Sequence, residues 1–214
     1  MQNGFIKIAS AIPAVKVANC QYNIGQIESM VESADKEGVE IIVFPELSVT
    51  GYSCQDLFRQ RILLEEAEHA VADLIEKTCN LDIITIVGIP VVAGDLLLNC
   101  AAVIQKGEIL GIVPKTYLPN YSEFYEKRWF ASSQDLKSTD IHFAGKDITV
   151  DSNSKIFRTA DGVCFGIEIC EDVWAPVPPS NRLALAGAEL IFNLSASDEL
   201  IGKHAYLETL IRQQ

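Results

Sequence analysis

Basic residues are scarce in this chain. There are 17 Lys and Arg against 29 Asp and Glu in 214 residues, a formal net charge of −12. A surface of that sign repels phosphate backbones and anionic lipid, so nucleic acids and membrane surfaces are poor partners. Histidine is scarcer still. His69, His142 and His204 are scattered, and all three read as structural or solvated. The six cysteines, at 20, 54, 79, 100, 164 and 170, include no Cys-x-x-Cys pair and have no histidine at ligand spacing. That pattern disfavours a metal site and a disulfide framework, and reduced thiols in a cytoplasmic setting are the expectation. Apolar runs long enough to cross a bilayer are missing. Lys7, Pro13 and Lys16 interrupt the one stretch where a secretory leader needs continuity.

What is present is globular material: 49% hydrophobic and 21% charged residues, enough for one large domain with a sizeable core. Strand-like and helix-like segments alternate. Stretches 5–9 and 14–18 read as strands, and 24–36 as a helix ended near Gly38. Residues 39–44 read as a buried strand. Asp56 is placed to cap a long helix reaching about Lys77, with Leu57, Leu64, Ala67, Val71 and Leu74 on one stripe. A strand over 83–92 follows. Lys106-Gly107-Glu108 joins 99–105 to 109–113 as a hairpin, and Asp161-Gly162 joins 155–158 to 163–169 as another. A helix over 181–186, a strand over 190–194 and a helix over 202–214 complete the pattern. Hairpins mixed with helix–strand units predict a mixed sheet. The final Leu210-Ile211-Arg212-Gln213-Gln214 carries no Gly, Asn or Pro stop, so the sequence is expected to be a piece of a longer polypeptide.

Three chemically capable residues each sit just past an apolar strand-like run. Glu46 follows Ile41-Ile42-Val43-Phe44-Pro45, Lys115 follows Ile109 to Pro114, and Cys170 follows Val163 to Ile169. Strand ends are where α/β proteins place chemistry. Each residue also has a bland reading: Cys170 as a small buried hydrophobe, Glu46 as a solvated loop carboxylate, Lys115 as a surface lysine. Together they make a base, an oxyanion stabiliser and a nucleophile, which suits attack on an amide or nitrile carbon. Glu171-Asp172-Val173-Trp174 ends the third run sharply, which would set the thiol on a tight turn. Glu168 points to the same side of its strand as Cys170. It reads either as a supporting hydrogen-bonding group or as a buried carboxylate paired with an arginine.

Phe44-Pro45-Glu46-Leu47, Pro114-Lys115-Thr116-Tyr117-Leu118-Pro119 and Glu168-Ile169-Cys170-Glu171-Asp172-Val173-Trp174 resemble, in order, the three signature blocks of the nitrilase superfamily of carbon–nitrogen hydrolases. The finer resemblance is to the N-terminal glutaminase domains of glutamine-dependent NAD⁺ synthetases. It rests on residues 50–58, residues 119–128, and Asn193-Leu194-Ser195-Ala196-Ser197 with Gly202-Lys203.

The resemblance implies a four-layer αββα sandwich, an α/β fold, incomplete at its C-terminus over 1–214. It implies Cys170 as nucleophile, Glu46 as general base, Lys115 as oxyanion stabiliser and Glu126 as a second carboxylate. Tyr52, Tyr121, Phe124, Glu171, Ser197 and Lys203 are the implied glutamine contacts. The implied partners are L-glutamine, the chain's own C-terminal synthetase domain and further copies in a homo-oligomer. No cofactor is implied for the glutaminase half-reaction. ATP and Mg²⁺ are expected only in the synthetase domain, whose Ser-Gly-Gly-x-Asp-Ser block is not in this sequence. A stand-alone amidase acting on another small amide, or a catalytically silent binding domain, are the competing readings.

Overall fold

A computed structural model of the chain describes residues 4–214. β1 (Ile8–Ser10), α1 (Cys20–Lys36), β2 (Ile41–Val43), α2 (Arg61–Lys77), β3 (Ile84–Ala93), β4 (Leu96–Gln105) and β5 (Glu108–Pro114) form the first half. β6 (Thr139–Phe143) and β7 (Lys146–Val150) make a separate hairpin. β8 (Phe157–Arg158), β9 (Cys164–Ile169), α3 (Pro179–Leu185), β10 (Leu190–Leu194) and α4 (Lys203–Gln213) form the rest. The larger sheet has order β1-β2-β3-β4-β5, parallel through β3 and antiparallel beyond it. The smaller has order β10-β9-β8, with β10 parallel and β8 antiparallel to β9. The mixed pairing expected from the hairpins is therefore present.

Alternation along the strands builds the layers. Ile42, Val87, Ile89 and Cys100 face α1 and α2, in one core with Ile24, Ile27, Val31, Val71 and Leu74. Their neighbours Ile41, Ile86, Ala101 and Val103 face the other way, into a second core with Phe165, Ile167, Ile169 and Phe192 of the smaller sheet. α3 covers that sheet's outer face, where Leu183 sits against Gly166. Helix, sheet, sheet and helix thus stack as the αββα sandwich. Phe157 stacks on Phe165 and Phe165 meets Phe192 edge-on, locking the second core.

Two local expectations fail for identifiable reasons. Residues 14–18 form no strand. The buried Asn23 side chain binds Lys16 N, Lys16 O and Val49 O instead, and Ala18 turns with φ +58°. Asp56 caps no helix. Gln55 breaks the chain with φ +51°, α2 begins after Gln60, and Leu57 stands exposed. The Asp56 carboxylate is instead held by Arg128 Nε and Nη2 and by Trp129 Nε1.

Candidate active site

β2, β5 and β9 deliver their next residues to one end of the sandwich. Phe44 N still bonds to Ile86 O, and Lys115 N to Asn99 O, so both segments continue their ladders past the strand proper. After Glu46 the chain reverses: Leu47 takes φ +51° with no solvent exposure, and Ser48 N bonds back to Pro45 O. Gly88 of β3 makes room for this reversal. A Cβ there would lie 2.2 Å from Leu47 N and 2.7 Å from the Glu46 carbonyl carbon. Cys170 opens a short 3₁₀ turn, Cys170–Trp174, with φ +44°. A left-handed conformation at a non-glycine residue is costly and marks sites where strain is kept for function.

Lys115, only 1% exposed, lies between two carboxylates. Its Nζ donates to Glu46 Oε1 at 2.6 Å and to Glu126 Oε1 at 2.7 Å. Asn99 Nδ2 donates to Glu46 Oε1 at 2.7 Å, and Ala196 N to Glu46 Oε2 at 3.1 Å. Tyr52 Oη donates to Glu126 Oε1 at 2.8 Å. Burial pulls the Lys115 ammonium toward deprotonation, but the Glu46 and Glu126 charges outweigh it and hold it above the usual lysine range. Burial, and then the Glu46 charge, raise the carboxyl of Glu126. Burial and the Glu126 charge keep Tyr52 a phenol.

Cys170 lies in the same field. Ser195 and the Ala196 N–H, the N–H that also serves Glu46, act to lower the pKa of its thiol, more weakly than the groups that raise it. Burial, then the Glu46 charge, push the thiol up to about 12, against the smaller pull of Lys115. The positive neighbour therefore does not produce a resting thiolate, and the thiol needs a base. Among the described residues Glu168 bonds to no arginine. It accepts from Ser180 N and Asn193 Nδ2, and Asn193 Nδ2 also reaches Cys170 O.

A cavity of about 410 Å³ opens over Cys170. Tyr121, Phe124, Glu171, Ser197 and Lys203, all singled out in the sequence, line it together with Trp174. Tyr121 Oη donates to Glu171 Oε2 at 2.9 Å. Lys203 Nζ donates to Ser197 Oγ at 2.7 Å and to the Asp198 carboxylate. Tyr206 of α4 stacks on Trp174 with centroids 5.5 Å apart, so α4 forms one wall. Tyr52 is not part of this lining; it stands behind, on Glu126. A wider cleft of about 1050 Å³ lies at the opposite end of the larger sheet, around Lys7, Val39 and Lys106, and contains none of these groups. Asn99, Ser195, Ala196 and Asp172 belong to the site although no local pattern singled out their roles.

The family model for carbon–nitrogen hydrolases matches residues 7–211. The chain belongs to the carbon–nitrogen hydrolase family. Its similarity extends to proteins named glutamine-dependent NAD(+) synthetase. That of Mycobacterium tuberculosis is 36% identical over 204 residues, covering 94% of this carbon–nitrogen hydrolase and 30% of the relative. That of Aquifex aeolicus is 34% identical over 204 residues, 92% and 32% of the two chains. The crystal structure of the Cytophaga hutchinsonii enzyme of that name superposes with TM-score 0.82 at 28% identity, over 96% of this chain and 33% of that one. An amidase of the nitrilase superfamily from Nesterenkonia shares the fold, with TM-score 0.75 at 17% identity over 96% and 70%. This carbon–nitrogen hydrolase thus spans about a third of the length of its NAD(+) synthetase relatives. Its family is one of enzymes that hydrolyse carbon–nitrogen bonds. No helix among the described residues is long and apolar enough to cross a membrane.

Proposed function

We propose that residues 1–214 are the amide-hydrolysing part of a longer glutamine-dependent enzyme, and that the substrate is the side-chain amide of glutamine. The observation that carries this reading is the buried Glu46–Lys115–Glu126 ion cluster beside a strained cysteine at the floor of a cavity. Glu46 takes the proton from Cys170 Sγ as the sulfur bonds to the amide carbon. The oxyanion that forms is held by the Lys115 ammonium and by the N–H of Glu171, a first-turn donor without an intrahelical acceptor. Glu46 returns the proton to the nitrogen, the carbon–nitrogen bond breaks, and ammonia leaves a glutamyl thioester. Water then gives Glu46 a proton and attacks the thioester carbon; glutamate departs and the proton goes back to sulfur. Glu126 fixes the second side of Lys115 and helps to position that water. Lys203 and the carboxylates of Glu171 and Asp198 offer the two charge signs that an α-amino acid needs.

The relatives' dependence on glutamine, stated in their names, supports glutamine as the nitrogen source. The sequence resemblance further implies that the ammonia would pass to another domain of the same polypeptide, one that would amidate deamido-NAD⁺ with ATP and Mg²⁺. A glutamine assay tests the reading. The protein should release ammonia from L-glutamine in preference to asparagine or simple aliphatic amides. Mass spectrometry of acid-quenched enzyme should find a glutamyl group on Cys170, and Cys170→Ala should abolish both signals. Turnover of another amide with glutamine untouched refutes the substrate; activity in Cys170→Ala refutes the nucleophile.

A further inference from the structure

One buried carboxylate near the site takes no part in the chemistry above. Asp172 is 2% exposed and accepts three backbone N–H bonds. Its Oδ2 takes Ile169 N at 2.9 Å, the residue before Cys170. Its Oδ1 takes Thr116 N at 3.1 Å and Tyr117 N at 2.7 Å, the two residues after Lys115. Lys115 belongs to the end of the larger sheet and Cys170 to the end of the smaller. Between these strands the sheets meet through side-chain packing: Ala101, Val103 and Val113 on one side, Phe165, Ile167 and Ile169 on the other. Such packing holds the layers together but is non-directional, and it does not set the offset between two strand ends. Directional bonds from one rigid carboxylate do. The bond to Ile169 also closes the turn that holds Cys170 at φ +44°.

We propose that Asp172 is a positioning residue for amide hydrolysis: its carboxylate straps the lysine loop to the nucleophile turn and thereby sets the Lys115 ammonium against the sulfur of Cys170. The inference rests on the roles given above to Lys115 and Cys170, and it is independent of which amide is cleaved. A buried carboxylate with backbone N–H donors on both oxygens is costly to replace by a group that presents a donor. In Asp172→Asn one face of the amide must meet an N–H with another N–H. Either the Ile169 bond or the pair from Thr116 and Tyr117 is lost. Misplacement of catalytic partners by about 1 Å costs on the order of 10²-fold in rate.

The test is a double-mutant cycle with Lys115→Met, run on the whole chain with folding checked by circular dichroism. Asp172→Asn should lower kcat by about 10- to 100-fold, with KM changed by less than about threefold. In its background Lys115→Met should cost far less than in the parent, because the ammonium is already out of place. Independent, multiplying losses overturn the proposal, as a purely structural aspartate would produce them. Should Asp172→Asn not fold, Asp172→Glu goes through the same cycle. It keeps the acceptors and lengthens the strap by one methylene, and parental kcat or multiplying losses there overturn the proposal equally. If glutamine is not turned over, the cycle is read on the rate of Cys170 alkylation by iodoacetamide. A wrong substrate and a wrong strap then leave different records: the first removes turnover while coupling persists, the second removes coupling.

Discussion

Replacing Gly88 by alanine should disable the site from a position that touches no substrate. The added methyl group would stand 2.2 Å from Leu47 N, 2.6 Å from Pro45 O and 2.7 Å from the Glu46 carbonyl carbon. Ordinary contact begins at 3.4 Å, so the Glu46 reversal must retreat by about 1.2 Å or β3 must bend by as much. All three atoms are backbone, and none can rotate away. Overpacking of this kind costs about 1–3 kcal/mol, which lowers the melting temperature of a chain this size by several degrees. The larger effect falls on chemistry. Glu46 holds Lys115, Asn99 and Ala196 through bonds of 2.6 to 3.1 Å, and a shift near 1 Å breaks that set. A loss of about 10²-fold in kcat follows. Gly166→Ala is the control. Its methyl group would meet Leu183 side-chain atoms at 2.7 to 3.0 Å, which can turn aside, so stability falls while kcat stays within about threefold. Ammonia release and thermal melting on both variants decide the matter. Parental kcat in a folded Gly88→Ala protein refutes the argument that this glycine sets the base.

Lys115→Met keeps much of the stem but removes the charge. It should cost about 10²–10³-fold in kcat with a smaller change in KM, because the ammonium acts on charge that appears only as the oxyanion forms; steady-state kinetics reads it. The Cys170 thiol, pushed up to about 12 by burial and the Glu46 charge, is protonated throughout the neutral range. Without substrate, its alkylation by iodoacetamide should therefore rise about tenfold per pH unit from 7 to 10, and a plateau near pH 8 counts against the neutral resting thiol.

Glu46, Lys115 and Cys170 were legible because each ends an apolar run with a residue that the run itself does not explain. The runs made a mixed sheet legible, while the four layers were expected only from the family resemblance; that Ile41 faces the second core and Ile42 the helices is seen only in the packing. Asn99 was not. It sits inside the β4 run, and its partner Glu46 lies 53 residues away. Asp172 lay inside a motif, yet two of its three donors, Thr116 N and Tyr117 N, follow a strand of the other sheet, and only packing brings them to it. Asp56 misled because a good capping residue was taken by a stronger tertiary partner, Arg128. The β6–β7 hairpin carried a signal that passed unread: Thr139–Phe143 and Lys146–Val150 alternate in burial around Ala144-Gly145.

The resting state of Cys170 bears on how long the protein lasts. Oxidation to sulfenic acid and beyond proceeds through the thiolate. Cys170 is 5% exposed, and burial and the Glu46 charge disfavour its thiolate, so it offers peroxide little to attack. Cys79, by contrast, is an exposed free cysteine. The proposed nucleophile is thus disfavoured as a target for oxidants in its resting form. The same Glu46 charge that withholds the thiolate from oxidants is, in the proposed mechanism, the group that draws the proton off when an amide arrives.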